Sequence, residues 1–210
     1  MGDSDEARFL DERLLVLRTL RLKGRLSVES AELFVPGKGR LVIESLVRDE
    51  LAQCSGAAVK PTRAGRDKLE EWLAVERSRI DRAGLEERYE EFDGPNRRLK
   101  SIVTAWQQLP DGTPNPHGNQ SYDDAIVRDL AALHADSLPL LERFRAIVPR
   151  LWHYPRRLGR AVGSVSEGDT THVASPLKDS YHQVWFELHE DLIGLLGRTR
   201  AEEAEAGRAL

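Results

Sequence analysis

The stretch LVIESLVRDELAQCSGAAVKPTRAGRDKLEEWL, residues 41–73, decides the fold. Ile43, Leu46, Val47 and Leu51 recur at three- and four-residue steps, while Arg40, Glu44 and Arg48 fall on the opposite side. That period predicts an amphipathic helix over residues 40–52. In residues 53–63, QCSGAAVKPTR, Gly56 lies among small residues and Val59 stands near a proline, which suits the tip of a short β-hairpin. Thr62 then offers a side-chain oxygen to the first amides of another helix. That helix is carried by Leu69, Trp72, Leu73 and Ile80.

Working outward to the N-terminus, Phe9, Leu10, Leu14, Leu17 and Leu20 form one apolar stripe over residues 5–24, with Gly24 as its stop. Ser27 is the N-cap expected for a short helix through Val28, Ala31, Leu33 and Phe34, which ends at the Pro36-Gly37-Lys38-Gly39 turn. Helix, short helix, helix, hairpin, helix is the order of a winged helix-turn-helix.

LSVESAELF (26–34), LVIESLVRDELAQ (41–53) and VKPTRAGRDKLEEWL (59–73) resemble the winged-helix domain of MarR-like regulators. In that family a threonine, two residues, a glycine and an arginine open the helix after the wing, and Thr62, Gly65 and Arg66 match that element. Pro61 departs from the pattern, standing where the family has an apolar strand residue. Lacking an N–H, it predicts a short or frayed wing. The resemblance spans residues 10–80. It implies a DNA-binding transcriptional regulator.

Residues 83–210 read as a separate α-helical domain, following a winged-helix domain over residues 1–82. Tyr89, Phe92, Leu99, Ile102, Val103, Trp106 and Leu109 line a helix or helix pair, interrupted near Gly94-Pro95. PDGTPNPHGN (110–119) is a loop. Ile126, Val127, Leu130 and Leu133 mark one further helix. Leu140, Leu141, Phe144, Ile147, Val148 and Leu151 mark the next, with an antiparallel turn expected at residues 135–137 and Pro139 in the first turn. YPRRLGRAVGSV (154–165) predicts a short basic helix. Ser175 and Pro176 are the expected start of a long one, with the stripe Leu177, Tyr181, Trp185, Leu188, Leu192 and Leu195, ending at Gly197. The stretch RTRAEEAEAGRAL (198–210) is a solvated helical extension or a frayed tail. No stretch outside the hairpin reads as strand, so the fold class is mainly α. DSYHQVWFELHEDLIGLLGRTR (179–200) and YEEFDGPNRRLKSIVTAWQ (89–107) are similar to segments of winged-helix proteins that accompany enzymes of the phosphoenolpyruvate-utilising class. That similarity implies an alternative: a non-catalytic accessory module that docks on such an enzyme.

Composition bounds these readings. The 210 residues are 40% hydrophobic and 31% charged, which excludes collagen-like and wholly disordered chains. No apolar run approaches the roughly 20 residues that span a bilayer, and the acidic start lacks a secretory pattern, so a cytoplasmic location is expected. A single cysteine, Cys54, excludes an internal disulfide and a thiolate zinc cluster. Through residue 82 there are 16 Lys and Arg against 15 Asp and Glu, and beyond it 15 against 20. The head is nearly neutral and the second half acidic, which favours the accessory module, whereas the helix order and the arginines favour the regulator.

In a winged helix the third helix enters the major groove and the wing touches the backbone, so Lys38, Arg40, Ser45, Arg48, Lys60 and Arg63 are the candidate contacts to double-stranded DNA. Two heads on a two-fold operator double those contacts, so a homodimer is expected. The loop LFVPGKGRL (33–41) lacks the glycine spacing, the following Ser or Thr and the strand of a phosphate-binding loop. No nucleophile elbow, cysteine–histidine context or paired carboxylates point to an enzyme, and no cofactor is implied. In YHQVWFELHED (181–191), Tyr181, His182, Trp185, Glu187 and His189 share one helix. They either line a small-molecule effector pocket or pair with one another across a bundle. His182 and His189 lie about 10.5 Å apart along the axis, too far for joint metal chelation. Asp179 with His182 would need His134 as a third ligand. Asn96, Trp106 and Gln107 are candidates for the opposite wall. The Arg156, Arg157 and Arg160 cluster reads as a solvated face in preference to an anion site.

Overall fold

The computed structural model describes residues 3–205 and divides the chain into two compact units, Met1–Arg79 and Ile80–Leu210. The protein is mainly helical, with one small antiparallel sheet.

Unit one runs α1 (Asp3–Lys23), β1 (Leu26–Ser27), α2 (Val28–Ala31), α3 (Gly39–Arg48), β2 (Ala52–Ser55), β3 (Ala58–Pro61) and α4 (Arg63–Arg79). The strand order is β1-β3-β2, so the hairpin is joined by a third strand that the sequence did not announce. Two residues carry too little periodicity to be read as a strand. β1 exists because Leu26 and Ser27 align with Val59 and Ala58. Pro61 is tolerated in the central strand because it lies beyond the reach of β1 and faces only Ala52 of β2.

α1 touches α3, α4 and β3, so residues 14–20 are buried all round and not along one stripe. Leu10, expected on that stripe, is exposed. α3 stops at Arg48, short of the expected residue 52. Its end is a Schellman motif. Leu51 N–H donates to the Leu46 carbonyl at 2.8 Å and Glu50 N–H to the Val47 carbonyl at 3.0 Å. Glu50 supplies the left-handed residue of that motif with φ of 58°. The reversal frees residues 52–55 to form β2.

Unit two contains α5 (Arg82–Gln107), α6 (Gln120–Ile147), α7 (His153–Ser166), α8 (Tyr181–Leu196) and α9 (Arg200–Glu205), with 3-10 turns at Pro149–Trp152 and Thr170–His172. α5 packs on α6, α6 on α7, α7 on α8, and α8 returns to α5. The pairs Arg98–Asp136 and Arg143–Glu91 make α5 and α6 antiparallel. The core is built from Phe92, Phe144, Leu158, Trp185 and their aliphatic neighbours.

Two expected breaks are absent. Pro95 lies inside α5 and Pro139 inside α6, and both helices continue through them. A proline removes the hydrogen bond to the carbonyl four residues earlier. Those carbonyls belong to Glu91 and Ala135, which are exposed, so water can replace the lost donor. The expected turn at residues 135–137 is therefore helix. α8 begins five residues after Ser175-Pro176. Its N-cap is Ser180, whose Oγ accepts from Gln183 N–H at 3.3 Å and donates to the Ser175 carbonyl at 2.8 Å. Leu177, expected on the stripe, precedes the helix and is exposed. Gly197 closes α8 with φ of 68°, a conformation that costs glycine nothing. Thr199 and Glu202 then form a reciprocal capping box that starts α9. The expected helical extension is thus present through Glu205, and the rest of that stretch, 206–210, lies outside the described residues.

Candidate functional site

In unit one the site is built around α3. Its N-cap, Lys38, makes no side-chain cap, and the Glu32 carboxylate substitutes by accepting from Gly37 N–H at 2.7 Å and Arg40 N–H at 3.3 Å. The amphipathic period buries Val42, Ile43 and Leu46 and exposes Arg40, Leu41, Glu44 and Arg48. Lys60 follows the buried Val59, so strand alternation turns it outward. Arg63 is exposed in the first turn of α4. Among the described residues, Arg40, Arg48, Lys60 and Arg63 form no ion pair.

Two of the six expected contacts are differently placed. Ser45 is buried and its Oγ donates to the Val42 carbonyl at 2.8 Å, so it is a core residue that cannot reach a base edge. Its hydroxyl is small enough to be satisfied within the helix. Lys38 donates to both oxygens of Glu12, at 2.9 and 3.1 Å, and so ties α3 to α1. Asp49, an acidic neighbour of Arg48, is bound by Arg13 at 2.6 Å.

The threonine–glycine–arginine element has an architectural role here. Thr62 Oγ1 donates to the Glu50 carbonyl at 2.6 Å and accepts from Gly65 N–H at 2.9 Å, while Thr62 N–H donates to the Leu51 carbonyl at 3.1 Å. A Cβ at Gly65 would lie 1.8 Å from the Leu51 carbonyl oxygen, so only glycine permits this approach. Arg66 closes the latch on the Pro61 carbonyl at 3.3 Å. The element fixes the end of α3 and the hairpin against the start of α4.

In unit two the five residues singled out on α8 are turned toward different neighbours. Trp185 Nε1 donates to Asn96 of α5 at 3.1 Å, and its ring stacks on Phe92 and Tyr181. Tyr181 meets His134 of α6 edge to face. His189 Nε2 lies 2.9 Å from the Tyr89 hydroxyl, which donates to Glu203 at 2.7 Å. A phenol has one proton, so the histidine nitrogen is the donor to Tyr89. Glu187 instead faces α7, accepting from Arg157 at 2.7 Å and from Gln183 at 3.2 Å. His182 is half-buried, and burial lowers its pKa. The geometry pairs these groups across the bundle and does not converge them on one point. Of the candidates for the opposite wall, Asn96 meets α8 through Trp185, whereas Gln107 is exposed and Trp106 packs on His117.

Arg157 reverses the expected solvated face. It is buried, forks onto Asp179 at 2.8 and 3.0 Å, and also reaches Glu187. Two turns earlier Arg150 forks onto Asp191 at 2.8 and 3.0 Å, with Tyr154 donating to the same carboxylate at 2.8 Å. Burial and the Asp191 and Glu187 charges drive the Tyr154 pKa well above its usual value. Burial holds the nearby His153 well below its own. Arg156 and Arg160 keep to the outer side, Arg156 over the Trp152 ring. Sequence carried one unread signal. Arg157 falls in step with Tyr154, Leu158, Ala161 and Val165, the apolar stripe of α7.

Because Asp179 is engaged by Arg157, it is not poised with His182 and His134 for a metal. Among the described residues no group of three or more His, Cys, Asp or Glu could hold one. Likewise no described helix is long and apolar enough to cross a membrane. Compared with known proteins, the chain matches no family model, no curated protein and no solved structure.

Proposed function

We propose that unit one is a winged helix-turn-helix head that binds double-stranded DNA, and that the protein is a cytoplasmic, homodimeric transcriptional regulator whose second unit serves dimerisation or effector binding. One observation carries this reading. Arg40 and Arg48 on α3, Lys60 on β3 and Arg63 on α4 are exposed and form no ion pair among the described residues, while the neighbouring Asp49 is neutralised by Arg13. α3 enters the major groove, Arg40 and Arg48 reach base edges or phosphates, and Lys60 and Arg63 hold the backbone.

Fluorescence anisotropy of the full-length protein on genomic duplexes over a range of salt tests it. Lys60 and Arg63 of both heads together make four phosphate contacts, which give a slope of log K against log salt of roughly −3.6, steeper where Arg40 and Arg48 also meet phosphates. Arg40→Ala and Arg48→Ala each weaken binding, by about 1 to 3 kcal/mol on the preferred sequence where a base contact is lost and on all sequences alike where a phosphate contact is lost. Absence of binding at low salt overturns the reading. Light scattering that finds a monomer at micromolar concentration, with and without DNA, overturns the dimer.

A second reading, the accessory module for an enzyme of the phosphoenolpyruvate-utilising class, is favoured by two exposed leucines, Leu41 on α3 and Leu33 in the connection before it. Absence of DNA binding at low salt, with the fold intact, leaves it standing.

A further inference from the structure

Glu44 is the one acid at the centre of the α3 face. It is exposed, lies four residues from both Arg40 and Arg48, and forms no ion pair or side-chain hydrogen bond among the described residues. Leu41, one turn earlier, is 51% exposed. In the same unit Glu12 is paired with Lys38 and Asp49 with Arg13. Glu44 has two arginines on its own helix and engages neither.

An unpaired carboxylate turned toward a polyanion opposes binding unless it finds a donor there. In the major groove the base donors are the amino groups of cytosine and adenine. Adenine's N6 donor is flanked by acceptors on both sides, its own N7 and the paired thymine O4, whereas cytosine's N4 donor has the guanine O6 on one side only and C5–H on the other, so a carboxylate is repelled less there. Resting on the DNA-binding reading above, we propose that Glu44 selects a cytosine in the operator by accepting from its N4 amino group. Leu41 packs its apolar side chain on a neighbouring thymine methyl, and Arg40 donates to a guanine. Arg40 precedes Glu44 by about 6 Å along the helix axis. That separation is about two base steps at roughly 3.4 Å each.

The test is selection of preferred duplexes from a random pool with the full-length protein, Glu44→Gln and Glu44→Ala, followed by anisotropy at one fixed salt concentration. The unaltered protein should prefer cytosine at one position by roughly tenfold or more over each other base. Both variants should lose that preference while binding unselected duplex more tightly, since a negative charge has gone. Glu44→Gln should gain adenine there, because an amide both accepts from N6 and donates to N7. Unchanged circular dichroism and thermal midpoints establish that the exposed substitution leaves the fold intact. Persistence of the same base preference in either variant overturns the proposal and leaves DNA binding standing. Failure of all three proteins to bind any duplex at low salt overturns both.

Discussion

Arg157 and Glu187 meet at 2.7 Å with both side chains 1% exposed, joining α7 to α8 through a charge pair sealed from solvent. Glu187 is additionally held by Gln183, and Arg157 by the half-exposed Asp179, so each charge has more than one partner. Removing one member strands the other in a medium that solvates it poorly. Arg157→Met should therefore lower unfolding free energy by about 3 to 5 kcal/mol, whereas Arg157→Met combined with Glu187→Leu should cost far less. Urea denaturation of the two variants makes the comparison. Equal losses would show that packing, not the stranded charge, sets the cost.

Three histidines of unit two give a pH dependence of known sign. Burial lowers the pKa of His153 strongly, and those of His134 and His182 to a lesser degree. Unfolded, each takes up a proton near about pH 6.5, while in the folded protein each does so only at lower pH. The unfolded state thus binds more protons below that pH, and stability present above about 6.5 is lost as pH falls. His153, lowered most strongly, contributes the steepest part of that fall, and the half-exposed pair adds less because solvent screens them. Thermal midpoints between pH 8 and 5 read this out, with a shallower fall expected for His182→Gln.

Glu50 occupies a left-handed conformation at the end of α3, which glycine adopts without penalty. Glu50→Gly should raise the stability of unit one by about 1 kcal/mol. Guanidinium titration followed by Trp72 fluorescence would report it. A loss of stability would mean that the glutamate side chain contributes more than the backbone strain costs.

At the latch between α3 and α4, Gly65→Ala must move the Leu51 carbonyl, which stands 1.8 Å from the new Cβ. A cost of about 1 to 3 kcal/mol or more is expected, as for other overpacked sites. Thr62→Ala removes a helix cap and should cost about 1 kcal/mol. Both changes should weaken the proposed DNA binding only as far as they unfold unit one, so binding measured well below the thermal midpoint should match the unaltered protein for Thr62→Ala.

Local chemistry decided the elements that could be read without a structure. The three- and four-residue steps of Ile43, Leu46 and Val47, the Thr62 cap, the small-residue hairpin around Gly56 and the Gly197 stop are each dictated within a few neighbouring residues, and each appears in the structure. What depends on distant partners was not legible. β1 becomes a strand only because β3 lies beside it, and Pro139 stays helical only because Ala135 faces water. Ser45 and Arg157 show the same limit in side chains. A serine on α3 and an arginine in a basic run carry no mark of burial, because a polar group goes inside only when its hydrogen bonds are met there. For Ser45 the partner is one turn away, and for Arg157 the partners lie 22 and 30 residues on. Tertiary structure alone brings those carboxylates to the guanidinium, and so decides which charges are core and which remain at the surface.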